Sequence, residues 1–364
     1  MRLRDAIKDL EPYIAGRSEA SVQREFGLAD VIKLGSNEST FGPFPGVAEA
    51  IAPLVAGVNR YPERDFELAE ELASFWEVPV DRVALGNGVD PIIGYLCWAF
   101  LDPGDEAIMA APSFVSYALD AQKAGGRAVR VPLVDGKHDV ERMVEAVTDR
   151  TRLLFVCSPN NPTGDIVDAE SLSWLVGNVP ERVLIVVDEA YAEYVADQRY
   201  PDTIRTLVRE RPNVAVLRTF SKLYALAGLR VGYCVAAEEI VDALGRIRHY
   251  FDVSDLAHVA ATVSLRNQAE VARRREENLH RRVALEAVLD EWGLRRMVSH
   301  ANFVAFDTGT DADTLAAALM GRGVIARSLG PFGDGGLLRV TLGTTAETDR
   351  FLAALAAEIG RPPL

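Results

Sequence analysis

The chain has 364 residues, of which 49% are hydrophobic and 25% charged, and this ordinary globular composition excludes a disordered or fibrous protein. Thirty-nine Lys and Arg against 53 Asp and Glu leave a formal charge of −14. Such a chain repels nucleic acid and anionic membrane at long range, so any anionic ligand needs a local positive site.

The opening MRLRDAIKDLEPY lacks an apolar core of signal-peptide length. Runs rich in β-formers then alternate with helical periodicity. The strand candidates are RVAL (82–85), EAIMA (106–110), RAVRV (127–131), RLLFVCS (152–158), RVLIVVD (182–188), NVAVLRT (213–219) and GYCVAA (232–237). FELAEELASFW (66–76) and VERMVEAV (140–147) are helical by spacing. Alternation of this kind predicts βα units and a mostly parallel sheet. The longest apolar run, Pro91 to Leu101, is too short to span a membrane, and a cytoplasmic location is expected. Cys97, Cys157 and Cys234 lie scattered in apolar runs and read as reduced core residues.

Beyond about residue 238 the pattern changes, which puts a domain boundary near 240. A long helical stretch is predicted from Leu256 to about Trp292, and its segment ARRREENLHRR (272–282) reads as a solvated helix face. Strands ANFVAFD (301–307) and LLRVTLG (337–343), with helices over 313–322 and 346–358, complete an α+β module.

In an open parallel sheet, ligands collect at the carboxyl ends of the strands. Polar residues follow five strand candidates directly: LGNGVD, APSF, SPNNPTG, DEAY and TFSK. That recurrence implies one shared site. Gly86-Asn87-Gly88-Val89-Asp90 precedes a helix and suits either a turn or a phosphate cradle; it lacks the third glycine of a dinucleotide fingerprint. Asp188 ends a buried strand, where a carboxylate requires a partner, and Glu189 then points to the opposite face. Lys222 follows Ser221, and Arg230 comes eight residues later. A lysine beside a dianion site and a buried carboxylate suggests a Schiff base with an aldehyde cofactor. The five histidines, His138, His249, His258, His280 and His300, show no metal-ligand spacing, so no metal is expected.

SPNNPTG, VVDEAY and TFSKLYALAGLRVGY, in that order, resemble the fold-type I aminotransferases that use pyridoxal phosphate. LEPYIAGRS (10–18), VIKLGSNESTFGP (31–43), NRYPE (59–63) and LGNGVDPII (85–93) narrow the resemblance to the histidinol-phosphate aminotransferase family and the aromatic aminotransferases that share its ancestry. The resemblance implies an α/β large domain (45–240), a small C-terminal domain (241–364) and an N-terminal arm belonging partly to the small domain (1–44).

It also implies roles. Lys222 would carry the cofactor aldehyde, Asp188 would hold the ring nitrogen's proton, and Asn161 and Tyr191 would bond the ring's phenolic oxygen. Gly88 and Val89, with Asp90 beside them, Ser221 and Arg230 would hold the cofactor phosphate. Tyr61 would reach that phosphate from the second copy of a homodimer, and Phe114 would stack on the ring. Arg339 would grip the substrate anion bidentately, with Arg327, Tyr13 and Asn37 on the substrate side and Asn302 either there or in a strand-start turn. Ser39-Thr40 replaces the family's usual Asn-Pro, which leaves selectivity open at that loop, and the loop 328–336 is expected to shape the pocket. The implied reaction is transamination from histidinol phosphate to 2-oxoglutarate, with two alternatives: transamination of aromatic amino acids, and decarboxylation of a phospho-amino acid.

Overall fold

A computed structural model describes residues 2–8, 10, 16–63 and 65–361. Twelve strands are numbered here in chain order. β1 is Ile32–Lys33, β2 Val83–Gly86, β3 Glu106–Ala111, β4 Arg127–Pro132, β5 Thr151–Cys157 and β6 Leu184–Asp188. β7 is Val214–Thr219, β8 Gly232–Val235, β9 Phe303–Asp307, β10 Val324–Ile325, β11 Arg327–Ser328 and β12 Leu337–Thr341.

Seven strands form the main sheet in the order β2-β8-β7-β6-β5-β3-β4. Six run one way. β8 alone is antiparallel to both neighbours. β5, β6 and β7 are buried on both faces, as strands of a parallel sheet covered by helices should be. Their side chains divide by parity. Leu154, Val156, Ile185, Val187, Val214 and Val216 enter one core. Leu153, Phe155, Leu184, Val186, Ala215 and Leu217 enter the other, packed by Ile92, Ile93 and Leu96 of the helix Val89–Phe100. The sheet is thus a rigid platform, and all six aligned strands end at one edge.

The remaining strands make a second unit. β11, β12 and β9 form an antiparallel sheet, and β1 pairs in parallel with β10. Leu34 therefore joins a core made with Leu285, Leu289, Phe306 and Phe351. An early segment of the chain is stitched to its last third.

The structure refines one expectation and corrects another. The predicted helical stretch 256–292 is present as two helices, Asp255–Arg266 and Gln268–Glu291. Asn267 separates them, because its side chain accepts from Glu270 N at 3.2 Å and starts a new helix. The arginine-rich stretch is not simply a solvated face. Arg274 is buried against the Phe44 ring, at 4.2 Å, and donates to the Pro43 and Leu223 carbonyls. Arg275 donates to Glu193 O at 2.8 Å, and Arg281 to Thr40 Oγ1 at 3.0 Å. This helix braces the loops beneath the sheet edge. Among the described residues, no helix is long and apolar enough to cross a membrane, and no cluster of residues could hold a metal ion.

Candidate active site

A cavity of about 240 Å³ opens at the carboxyl edge of the main sheet, against the second unit. Its lining gathers twelve of the sequence-derived candidates: Asn37, Val89, Asp90, Phe114, Asn161, Asp188, Tyr191, Ser221, Lys222, Arg230, Arg327 and Arg339. These come from eight separate stretches of chain, so only the fold brings them together.

Asp188 is the last residue of β6 and faces the core that contains the helix Val115–Ala124. Its Oδ2 accepts from the Tyr117 hydroxyl at 2.7 Å, and its Oδ1 from Ala190 N at 3.1 Å. Burial pushes its carboxyl up to about 6, while these hydrogen bonds act in the opposite sense. Glu189 does take the other face. There its carboxylate pairs with Arg218 and accepts from Thr203 Oγ1 at 2.5 Å. Arg218 also reaches Glu193 Oε1 at 3.1 Å and lies over the Trp76 ring at 5.0 Å. This buried cluster locks the ends of β6 and β7 together behind the cavity.

Lys222 follows the turn that ends β7, and its Nζ donates to Asn37 O at 3.2 Å. Burial and then the Arg339 charge lower its ammonium to about 8. The Tyr191 hydroxyl accepts from Asn37 Nδ2 at 3.0 Å, and burial raises its pKa to about 12. Asn37 holds a left-handed φ of 54°, which asparagine tolerates better than most residues. Asn302 donates to the same Asn37 carbonyl, at 3.2 Å. It supports the cavity wall from behind and does not line it.

The helix Val89–Phe100 points its N-terminus into the cavity, where free amides and the helix dipole favour an anion. Gly88 precedes it with φ 86°, and a Cβ there would collide with the Arg230 guanidinium. On β8, a Cβ at Gly232 would come within 2.9 Å of Gly88 C and Val89 N. Both glycines keep the cradle open. Arg230 Nη1 donates to Ser221 Oγ at 3.3 Å, completing the set of donors around it. β8 runs against its neighbours, so its first residues lie at the same edge as the ends of the others, and that delivers Arg230. An amide nest, a hydroxyl and a guanidinium fit a phosphate, and a buried lysine and carboxylate sit in the same cavity. The donor set therefore fits a phosphorylated aldehyde bearing a ring nitrogen.

Across the cavity, Arg339 of β12 donates to Gly35 O at 2.9 Å and to Asn161 Oδ1. Asn161 therefore orients the arginine here. Arg327 stands opposite Arg339 in the register of β11 and β12.

Three candidates fall elsewhere. Tyr13 lies outside the described residues. Gly88 borders the cavity without lining it. Tyr61 is 73% exposed and stacks on Phe251 at 4.4 Å, in a separate groove of about 900 Å³ that also touches Arg230. Ser39 and Thr40 do not line the cavity. Ser39 Oγ accepts from Phe41 N, and Thr40 is bound to Arg281, so the loop's unusual residues serve its anchorage.

Sequence reasoning missed Tyr117, Ser36, Thr219, Cys157 and Phe332. Tyr117 lies three residues after Phe114, one helical turn further along, but nothing local sets it apart from a core tyrosine. Phe332 was named only as part of a loop.

Fold and cavity together define an α/β enzyme built around a buried lysine, a buried carboxylate and two anion-binding ends. The model of aminotransferase class I and II matches residues 29–355. A histidinol-phosphate aminotransferase of Moorella thermoacetica is 42% identical over 355 residues, covering 97% of this chain and 92% of that protein. Histidinol-phosphate aminotransferase 1 of Cupriavidus pinatubonensis is 41% identical, with 96% and 95% covered. Among solved structures, the histidinol-phosphate aminotransferase of Sinorhizobium meliloti in complex with pyridoxal 5'-phosphate superposes with a TM-score of 0.89. It is 28% identical, and 99% of this chain and 98% of that one are covered. A Thermus thermophilus aspartate aminotransferase double mutant gives 0.86 at 27% identity, with 99% and 100% covered. The chain belongs to the aminotransferase class I and II family, and its fold is that of the fold-type I enzymes.

Proposed function

We propose that the protein moves an amino group from L-histidinol phosphate to 2-oxoglutarate, using pyridoxal 5'-phosphate. One observation carries the reading: the cavity has two cationic ends with Lys222 and Asp188 between them. One end suits the cofactor phosphate and the other a substrate anion. The histidinol-phosphate aminotransferases at 37–42% identity support the choice of donor.

Gly88, Val89, Ser221 and Arg230 would hold the cofactor phosphate, Phe114 would cover the ring, and Asp188 would hold a proton on the ring nitrogen. Bound there, pyridoxal phosphate supplies an aldehyde that accepts the amino group and a ring that stores the electron pair released at Cα. Lys222 would take the proton from the substrate Cα. With its ammonium lowered to about 8, a useful fraction is neutral near pH 7 and can act as base. Arg339, fixed by Asn161 and Gly35, and Arg327 bind the phosphate of the donor and then a carboxylate of the acceptor. Asn37 and Tyr191 orient the reacting end, since Asn37 bonds both Tyr191 and Lys222.

A homodimer in the cytoplasm belongs to the same proposal. Val58, Tyr61, Tyr250 and Phe251 are exposed apolar residues along one groove, and that groove reaches Arg230 of the cofactor end. A second copy seated there would put its Tyr61 within reach of that end.

The test is a pair of single half-reactions on protein loaded with pyridoxal phosphate. The cofactor's absorbance is followed with L-histidinol phosphate and with L-phenylalanine at equal concentration. Much faster conversion of the phosphorylated donor is expected. Faster conversion of phenylalanine would make the enzyme an aromatic aminotransferase. Carbon dioxide released from a phospho-amino acid without conversion of either donor would make it a decarboxylase.

A further inference from the structure

Arg327 and Arg339 are direct register partners on β11 and β12, so two guanidinium groups enter one end of the cavity side by side. Like charges so placed repel. The Phe332 ring lies against both. Its centroid is 5.8 Å from Arg327 Cζ and 5.9 Å from Arg339 Cζ. The face of an aromatic ring is electronegative and attracts a guanidinium, so one ring can hold two cations that would otherwise separate.

The ring is itself held. Phe332 ends the short turn Gly330–Phe332, and its N–H donates to Leu329 O at 2.9 Å. Gly333, at φ 96°, closes the turn by donating to Gly330 O at 2.9 Å. Leu329 N donates to Leu337 O at 2.9 Å, which ties the turn to β12. The side chain packs on Ala305, Leu329 and Leu337. Arg339 has a second aromatic support, Phe303, at 5.3 Å, besides its bonds to Gly35 and Asn161. Phe332 is the aromatic contact the two arginines share.

We propose that Phe332 determines donor specificity: it holds Arg327 and Arg339 at the spacing that receives one tetrahedral dianion, a phosphomonoester, in preference to the planar monoanionic carboxylate of an amino acid. This rests on the reading that the amino donor carries a phosphate. A dianion accepts from both guanidinium forks at once. The carboxylate of an aromatic amino acid such as phenylalanine brings one charge in one plane, so it satisfies one fork and leaves the second guanidinium poorly paired.

Leucine at 332 keeps apolar packing and removes the ring face, and tyrosine keeps the face. Two measurements on the holoenzyme separate these roles: kcat and KM for L-histidinol phosphate and for L-phenylalanine, and calorimetric titration with inorganic phosphate. In Phe332→Leu, the ratio of kcat/KM for the phosphorylated donor to that for phenylalanine should fall about tenfold, the scale of losing one or two partly exposed cation–π contacts. The change should lie in KM for the phosphorylated donor, and phosphate affinity should fall by a similar factor. Phe332→Tyr should restore both. An unchanged ratio, or equal losses on both donors with phosphate affinity intact, would overturn the proposal and leave the ring a packing role. Wild-type preference for phenylalanine would overturn the donor assignment instead, and the phosphate titration would still decide what the ring does.

Discussion

Lys222 and Asp188 are charged groups placed where burial opposes charge. Their effects on stability run in opposite directions along the pH scale. The Lys222 amine falls from 10.5 in the open chain to about 8 in the fold. Below pH 8 both states are charged and the folded state bears the whole cost of burial. Between 8 and 10.5 the unfolded chain binds more protons, so stability rises with pH. Asp188, raised from 3.8 to about 6, does the reverse, and stability falls as pH climbs from 4 to 6. In cofactor-free protein, Lys222→Met should therefore raise stability at pH 7 by about 3 kcal/mol and abolish the gain above pH 8. Urea unfolding at several pH values checks this, and an unchanged pH profile would refute it. Both residues were legible in the sequence because each follows an apolar strand directly, at an edge where four other polar loops converge. Tyr117 was not. Its hydroxyl matters through a contact with Asp188, 71 residues away in the chain, and nothing local distinguishes it from a core tyrosine.

At the scale of elements, strand ends and the loops between them have to be fixed relative to one another. The Glu189–Arg218–Glu193 cluster does this between β6 and β7, with all three residues buried. Removing only the cation strands two carboxylates. Arg218→Leu should destabilise by about 3–5 kcal/mol, and Glu189→Leu added to it should recover part of that loss. Chemical denaturation of the three proteins is the measurement, and strict additivity of the two changes would count against a coupled cluster. The loop 37–44 is fixed from the other side by the long helix. Thr40→Val removes the bond to Arg281 and should cost about 1 kcal/mol in stability. Donor preference should stay the same, because Thr40 does not line the cavity; a changed ratio of the two half-reaction rates would contradict this. The main sheet and its direction could be read from alternation, since burial on both faces makes those strands nearly continuous apolar runs. The helix break at Asn267 and the inward arginines could not, because capping and bracing depend on partners from distant segments.

For the whole molecule, the exposed groove around Tyr61 is the feature that most needs a partner. Val58 is 64% exposed and Tyr250 93%. Apolar surface of this kind on one face marks an interaction site. The proposed dimer predicts that the wild type sediments as a dimer and a Val58→Glu, Tyr250→Arg variant as a monomer. Tyr61→Phe should leave the dimer intact and weaken cofactor retention several-fold, the scale of one lost hydrogen bond to a charged group. A wild type that sediments as a monomer while retaining its cofactor would sink the dimer assignment.

The pairing of β1 with β10 also has a consequence in time. Asn37 N bonds Thr341 Oγ1, and Gly35 O accepts from Arg339; each pair is 304 residues apart in the chain. A ribosome adding about 5–20 residues per second makes those halves of one wall roughly 15–60 s apart. The main sheet can form first, with its lysine and carboxylate already in place. The wall that orients Lys222 and Tyr191 closes only once the last strand has been synthesised, so a nascent chain holds the reactive groups without the chamber that directs them.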